Sequence, residues 1–458
     1  MRAKIASKPC FPFVFHKPPQ EYRKFQERYN SIDQLLEANP AILEAVHADL
    51  ARCCSGKGRE SQFSSEQFFR MLLIKVLEGL SYRDVIIRVT DSDFLRNFSR
   101  INSGTMMNFT ALEMAAKCIL SSTWEKANGI LGGFARRRKK ISGGQFRMDS
   151  TVCEANIHYP TDASLCWDGY RVLARLIRQC VDADPHLNLG NRFHDRRVKR
   201  LYTFVSTHIS RKSTSTKRSV RRSAAILCDR TDWICGVGRT FLRNGDTMGT
   251  ASIEATGALE ELRTMLPRVE QVVACARRAG NGETVPATDR IFSIFEPHAE
   301  LLKRGKARKP VEFGHMVTIG QTREKFISFY NVEETSRHDI QLGDEALKDH
   351  KRTFGAYPEG FTADKNYYGG PEHAAKWKGL IPNYSVGKKG RRTEEETDCE
   401  HGVVFRLLQK FRAGCEGSIS VLKRAFGLVR CLNRGFNSFA SSIGNLVFCH
   451  NLVVLSRL

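Results

Sequence analysis

The chain has 458 residues, enough for two or three domains with cores of their own. Hydrophobic residues make up 41%, so a globular fold is the default, and Lys plus Arg outnumber Asp plus Glu by 72 to 49, a net charge of +23. Such an excess says little about fold and much about partners: it suits a polyanion, most simply nucleic acid. A run of about 18 apolar residues, the mark of a membrane span, is missing, and the opening residues lack the basic-then-apolar pattern of a secretory leader. No membrane is therefore expected, and cytoplasmic residence is. The 14 cysteines are irregularly spaced, with no Cys-x-x-Cys pair. "CEH" at Cys399–His401 lacks a second half, so reduced packing thiols are expected rather than disulfides or a zinc site.

Residues 1–140 read as helical. "SSEQFFRMLLIKVLEGL" (64–80) places apolar side chains at a 3.6-residue period, with Ser64 or Ser65 as cap and Gly79 as stop. "SYRD" (81–84) has the form of a capping box for a second helix, so the pair has the outline of a helix-turn-helix. The segment closes on "FARRRKK" (134–140). "GQFRMDSTVCEANI" (144–157) predicts a strand at 145–152, with Phe146, Met148 and Val152 on one face and Arg147, Asp149 and Thr151 on the other. From 164 to about 285 the pattern is helical and basic. Within it "RKSTSTKRSVRR" (211–222) has six cations and no acid. It is either a solvated loop or a phosphate-contacting surface through Arg218, Arg221 and Arg222. Strands are expected at 290–295, 311–320, 325–332, 360–364 and 379–386, a helix at 345–354, a mobile loop at 388–402, and helices at 412–428 and 439–458. This order is mixed α/β, a sheet flanked by helices.

Three acids stand where chemistry would want them. Asp149 is in mid-strand, Asp364 is at a strand end, and Glu416 is on a helix between Arg412 and Lys423. Carboxylates on rigid elements suit Mg²⁺, and two-metal phosphoryl transfer needs such ligands to converge. Spacing alone also allows Asp149 to face solvent, Asp364 to cap a turn and Glu416 to pair with its two neighbouring cations.

Four stretches settle the comparison: "MDSTVCEANIHYPTDASLCWDG" (148–169), "RIFSIFEPHAELLKRGKARKPVEFGHMV" (290–317), "YPEGFTADKNYYG" (357–369) and "FRAGCEGSISVLKRAFGLVR" (411–430). With the helical segment at 66–98, they resemble bacterial insertion-sequence transposases of the DDE class, close to the ISNCY grouping. The resemblance implies an RNase H-like catalytic domain at 141–458, interrupted by a largely helical basic insertion at about 164–285. It implies an all-α DNA-binding domain at 1–140. It makes Asp149, Asp364 and Glu416 the metal-binding triad for two Mg²⁺ ions, which Mn²⁺ can replace, and gives Arg412 and Lys423 to DNA phosphates. The family's last-helix signature has a tyrosine where this chain has Gln409, and related chains often have a glycine after "DK" where this one has Asn366. The implied activity is cleavage and strand transfer at the ends of an insertion sequence, on double-stranded DNA, by a homodimer or larger assembly at the bacterial nucleoid. The alternative is a catalytically inactive or regulatory DNA-binding protein derived from such an enzyme.

Overall fold

The computed structural model describes Lys4 and residues 18–53, 61–102, 104–248, 252–303 and 310–458. The expectations about the opening segment up to residue 17, and about "RGKARK" at 304–309, lie outside these residues. The chain divides into two compact units, Met1–Ala155 with His315–Leu458, and Asn156–Gly314.

The first unit begins with helices α1 (Gln20–Glu37), α2 (Pro40–Arg52), α3 (Ser65–Leu77), α4 (Tyr82–Thr90), α5 (Asp93–Phe98), α6 (Phe109–Cys118) and α7 (Ser121–Arg137). Local chemistry sets the α3–α4 pair. The Ser64 hydroxyl accepts from the Gln67 amide while the Gln67 side chain accepts from the Ser64 amide, a closed capping box. Gly79 takes φ +64°, which turns the chain out of α3, and Ser81 caps α4 by accepting from the Asp84 amide. The strand β1 (Gln145–Glu154) follows.

The chain leaves for the second unit and returns through strand β3 (Val311–Thr322), whose latter half belongs to the first unit. Strand β4 (Ile327–Val332), helix α12 (Asp339–Phe354), strand β5 (Gly360–Ala363), helix α13 (Pro371–Lys378), strand β6 (Asn383–Val386), α14 (Glu394–His401), α15 (Val403–Ala425) and α16 (Phe436–Leu455) complete it. The strand order is β3-β1-β5-β6, with β4 antiparallel on β3. The pairs β1–β5 and β5–β6 are parallel. Phe146 and Met148 point to one face and pack with Ala346, Leu347, Trp377 and Tyr384, under α12 and α13. The opposite face of β1 lies against α15. Gly320 on β3 is needed because a Cβ there would lie 2.3 Å from the Phe146 ring.

The N-terminal helices share a core with α16. Trp124 of α7 packs on Phe69 and Phe448, and its indole N–H donates to Ser441 at 3.0 Å. Asn451 of α16 is fully buried; it accepts from the Ile327 amide and donates to the Ile327 carbonyl and to Asn128, each at 2.9 Å. A cut after residue 140 would pass through this core. Helix α16 is long and apolar enough to span a membrane by length and composition, but most of its residues are buried in the unit.

The second unit is helical: α8 (Asp162–Ala183), α9 (Asp195–His208), α10 (Thr214–Met248) and α11 (Ile253–Gly280), with strand β2 (Glu300–Lys303) paired antiparallel to Val311–Gly314. Its core joins Leu165, Leu173, Ile177, Ile234, Leu262 and Val269.

Four expectations about elements need correcting. Residues 290–295 form no strand; Ser293 accepts from the Phe295 and Glu296 amides in a turn, and Ile294 is buried in the helical core. Their apolar side chains serve packing, not a ladder. The expected loop at 388–402 contains α14, started by a Thr393–Glu396 capping box. Most of 211–222 is helical, in the first turns of α10. Helix α15 begins at Val403 rather than at 412, so Gly414 and Gly417 lie in mid-helix. All twelve described cysteines are free thiols; Cys10 and Cys54 lie outside the described residues.

Candidate active site

Parallel pairing of β1 with β5 sets Arg147 beside Thr362. Continuing that register by two residues brings Asp149 level with Asp364, on the face that α15 covers. Asp149 is largely buried, its side chain 18% exposed. Its Oδ1 accepts from the Ser150 amide at 2.8 Å. Burial raises its pKa; the Ser150 N–H and the Arg412 charge oppose the rise, and the charges of Asp364 and Glu416 add to it. Asp364 and Glu416 thus both act on Asp149. Asp364 also caps the 3₁₀ turn Lys365–Tyr367, accepting from the Lys365 amide at 2.6 Å. The capping reading from sequence is thus met, and the other carboxylate oxygen accepts from the Asn366 side-chain amide at 3.4 Å.

Glu416, at 63% side-chain exposure, is the most open of the three. Arg412 stands between it and the strand: Nη1 is 3.7 Å from Asp149 Oδ2 and Nη2 is 3.5 Å from Glu416 Oε1. The i,i+4 pairing of Arg412 with Glu416 is thus present, and Arg412 also reaches a second acid. Lys423, two turns beyond Glu416, acts electrostatically on Cys153 of β1 and helps hold down a thiol pKa that burial raises. Arg218, Arg221 and Arg222 lie on α10 of the second unit.

Two residues build this arrangement without being acids. The Gln409 amide nitrogen donates to the Ser385 carbonyl at 2.9 Å and to the Ser385 and Thr362 hydroxyls at 3.1 and 3.3 Å. Its oxygen accepts from Arg412 Nε at 3.3 Å. Gln409 thereby ties β5 and β6 to the guanidinium that lies between the acids. Arg147, 4% exposed, donates to the Phe411 carbonyl at 2.8 Å and lies over the Phe411 ring at 4.6 Å. Burial lowers its pKa. Gly414 is the residue that admits it: a Cβ there would meet Arg147 Nη1 at 2.1 Å. The sequence signal for Arg147 was a cation on the same strand face as Asp149.

The donor set is carboxylate oxygen only, which fits a hard divalent cation in its chemistry. Among the described residues, however, no group of three or more His, Cys, Asp or Glu side chains lies close enough together to hold a metal ion. Arg412 supplies the positive charge between Asp149 and Glu416.

Residues 299–452 match the family model described as the transposase DDE domain. The chain carries a transposase DDE domain. The match takes in Asp364, Gln409, Arg412, Glu416 and Lys423 of the DDE domain; Asp149 and helices α8–α11 lie outside it. No curated protein and no solved structure matches the chain.

Proposed function

We propose that this transposase binds the ends of an insertion sequence and cuts and joins DNA strands there, with Asp149, Asp364 and Glu416 as its acidic triad. The observation that carries the reading is geometric: the β1–β5 register sets Asp149 level with Asp364, and Arg412 lies 3.7 Å from Asp149 and 3.5 Å from Glu416, with Asp364 and Glu416 inside the matched DDE domain. The sheet, with antiparallel β4 on one side of the β1–β5–β6 parallel set, supports an RNase H-like reading of the fold. A divalent cation, Mg²⁺ with Mn²⁺ as substitute and two ions in the full site, would be held by the triad and would activate the attacking oxygen and neutralise the leaving one. The chain's own part is positioning. Ser150 fixes one Asp149 oxygen, Arg412 and Lys423 offer cations to the phosphate being cut, and α1–α7 with the basic insertion hold the duplex. Joining two ends asks for at least two chains on the DNA.

The test is single-turnover cleavage of a duplex carrying the element end in Mg²⁺, by wild type and by Asp149→Asn. Cleavage by both at one rate would overturn the assignment. The full chain is the reagent, because the N-terminal helices share their core with α16.

Gln409 gives a second expectation. Gln409→Met removes the hydrogen bonds that hold Arg412 and keeps the volume. Cleavage should fall by about 10²-fold, the order expected when a reacting group is misplaced by about 1 Å. Duplex affinity should stay within about twofold, and Gln409→Glu, which keeps the acceptor for Arg412, should recover part of the rate. Equal rates for both variants would mean that Gln409 only packs.

A further inference from the structure

Helices α9 and α10 carry charge that their own unit does not balance. From Arg192 to Arg222 there are eleven Lys and Arg residues and a single acid, Asp195. Asp195 is taken by Arg178 at 2.6 Å. None of the eleven makes an ion pair among the described residues. Elsewhere in the unit arginines are paired, Arg171 with Asp168 at 2.8 Å, Arg239 with Glu270 at 2.9 Å and Arg277 with Asp232 at 3.0 Å. Acids are thus scarce on this one surface, not in the unit.

Three of the eleven converge. Arg197 and Arg200 are three apart on α9 and share a face with Phe204, one turn on. From α10, Ser219, Arg222 and Ser223 face them across a cavity of about 310 Å³. That is the volume of roughly ten waters, room for a tetrahedral anion and part of its hydration. Phe204 gives it a firm apolar side, stacked on His208 with ring centroids 4.5 Å apart. The Ser219 hydroxyl is committed to the Ser215 carbonyl at 3.1 Å, which leaves Ser223 as the hydroxyl donor. Guanidinium groups crowded together without a carboxylate repel, and their planar forks match phosphate oxygens. Of the arginines read from sequence in "RKSTSTKRSVRR", only Arg222 lines this cavity. Arg221 points away by the 100° step between helix neighbours.

We propose that the Arg197–Arg200–Arg222 cavity clamps one backbone phosphate of duplex DNA, outside the matched DDE domain. The identity of the polymer rests on the transposase reading; the anion site rests on the geometry alone. Salt dependence separates the possibilities, because the slope of log K against log salt counts phosphates neutralised, at roughly 0.9 each. The full chain is titrated with a duplex of arbitrary sequence, without divalent cation so that no strand is cut, from 50 to 200 mM salt. Variant one is Arg197→Gln/Arg200→Gln/Arg222→Gln. Variant two, Arg171→Gln/Arg239→Gln/Arg277→Gln, removes the same charge from paired arginines. The first should lower the slope by about 0.9 and the second should leave it unchanged. Equal slopes for the two variants would overturn the site. A fall near 2.7 would mean three scattered contacts instead of a clamp and would overturn the shared phosphate. The same fall on duplex RNA at equal affinity would overturn DNA as the ligand. Calorimetric binding of inorganic phosphate by wild type, with the duplex slope unchanged in variant one, would assign the cavity to a free anion and overturn the proposal. Failure of the cleavage assay would sink the catalytic reading and leave this slope where it is.

Discussion

Glu416→Gln is expected to reduce strand cleavage and transfer by several orders of magnitude while leaving duplex binding intact or slightly tighter. The substitution keeps shape and hydrogen-bonding reach and removes one negative charge. A hard divalent cation prefers carboxylate to amide oxygen, so the triad would lose affinity for it. Binding should gain because a negative charge near the DNA phosphates has gone.

The competing account is specific to this geometry. Glu416 is well exposed and its nearest cation, Arg412, is 3.5 Å away. Were it only the surface partner of Arg412, the change would cost at most ~0.5 kcal/mol and leave cleavage alone. Arg412 has a second acid in Asp149, so it would keep its place without Glu416. The two accounts therefore differ by far more than assay error. The measurement is single-turnover cleavage in Mg²⁺ beside a binding curve in Ca²⁺, and wild-type cleavage by the variant would remove Glu416 from the triad.

Signals local in sequence were the legible ones. The Ser64 and Ser81 caps placed α3 and α4, and the alternation around Phe146 and Met148 placed β1, because each depends on neighbours within a few residues. The same kind of signal was present for α14 in Thr393 and Glu396, but the acidic run hid it behind polarity. Residues 290–295 show the opposite failure: their strand-prone apolar side chains are spent on burying Phe292 and Ile294. At the site, the acids could be picked out by type, yet their adjacency depends on β1 pairing with β5 across the whole second unit. Gln409 and Arg147 were not legible as builders of the site, because what they touch — Ser385, Thr362, Arg412, Phe411 — is set by how α15 lies on the sheet. Gly414 illustrates the limit best. Read along the chain it weakens a helix; read in three dimensions it is what lets the helix lie there.

That difference yields a prediction with opposite signs at two glycines of one helix. Gly417 has open space where a Cβ would go, so Gly417→Ala should follow helix propensity and stabilise the chain by about 0.5–1 kcal/mol. Gly414→Ala would gain the same propensity, but its Cβ would lie 2.1 Å from Arg147 Nη1. Arg147 is the far end of a flexible side chain, and in open solvent it would simply move. Here it is buried, bonded to the Phe411 carbonyl and at 3.3 Å to Gln321. Overpacking of this kind costs about 1–3 kcal/mol, and breaking a charged buried hydrogen bond adds about 1.5–3 kcal/mol. The clash therefore wins over propensity, and Gly414→Ala should destabilise by about 2 kcal/mol or more. If α15 instead shifts to escape, Arg412 and Glu416 shift with it, and cleavage should drop by about 10²-fold at a stability closer to wild type. Denaturant midpoints for both alanine variants, with the cleavage rate measured alongside, distinguish these outcomes. Arg147→Met in the Gly414→Ala background should recover stability by relieving the contact. A Gly414→Ala chain as stable and as active as Gly417→Ala would show that Arg147 does not hold α15 to the sheet.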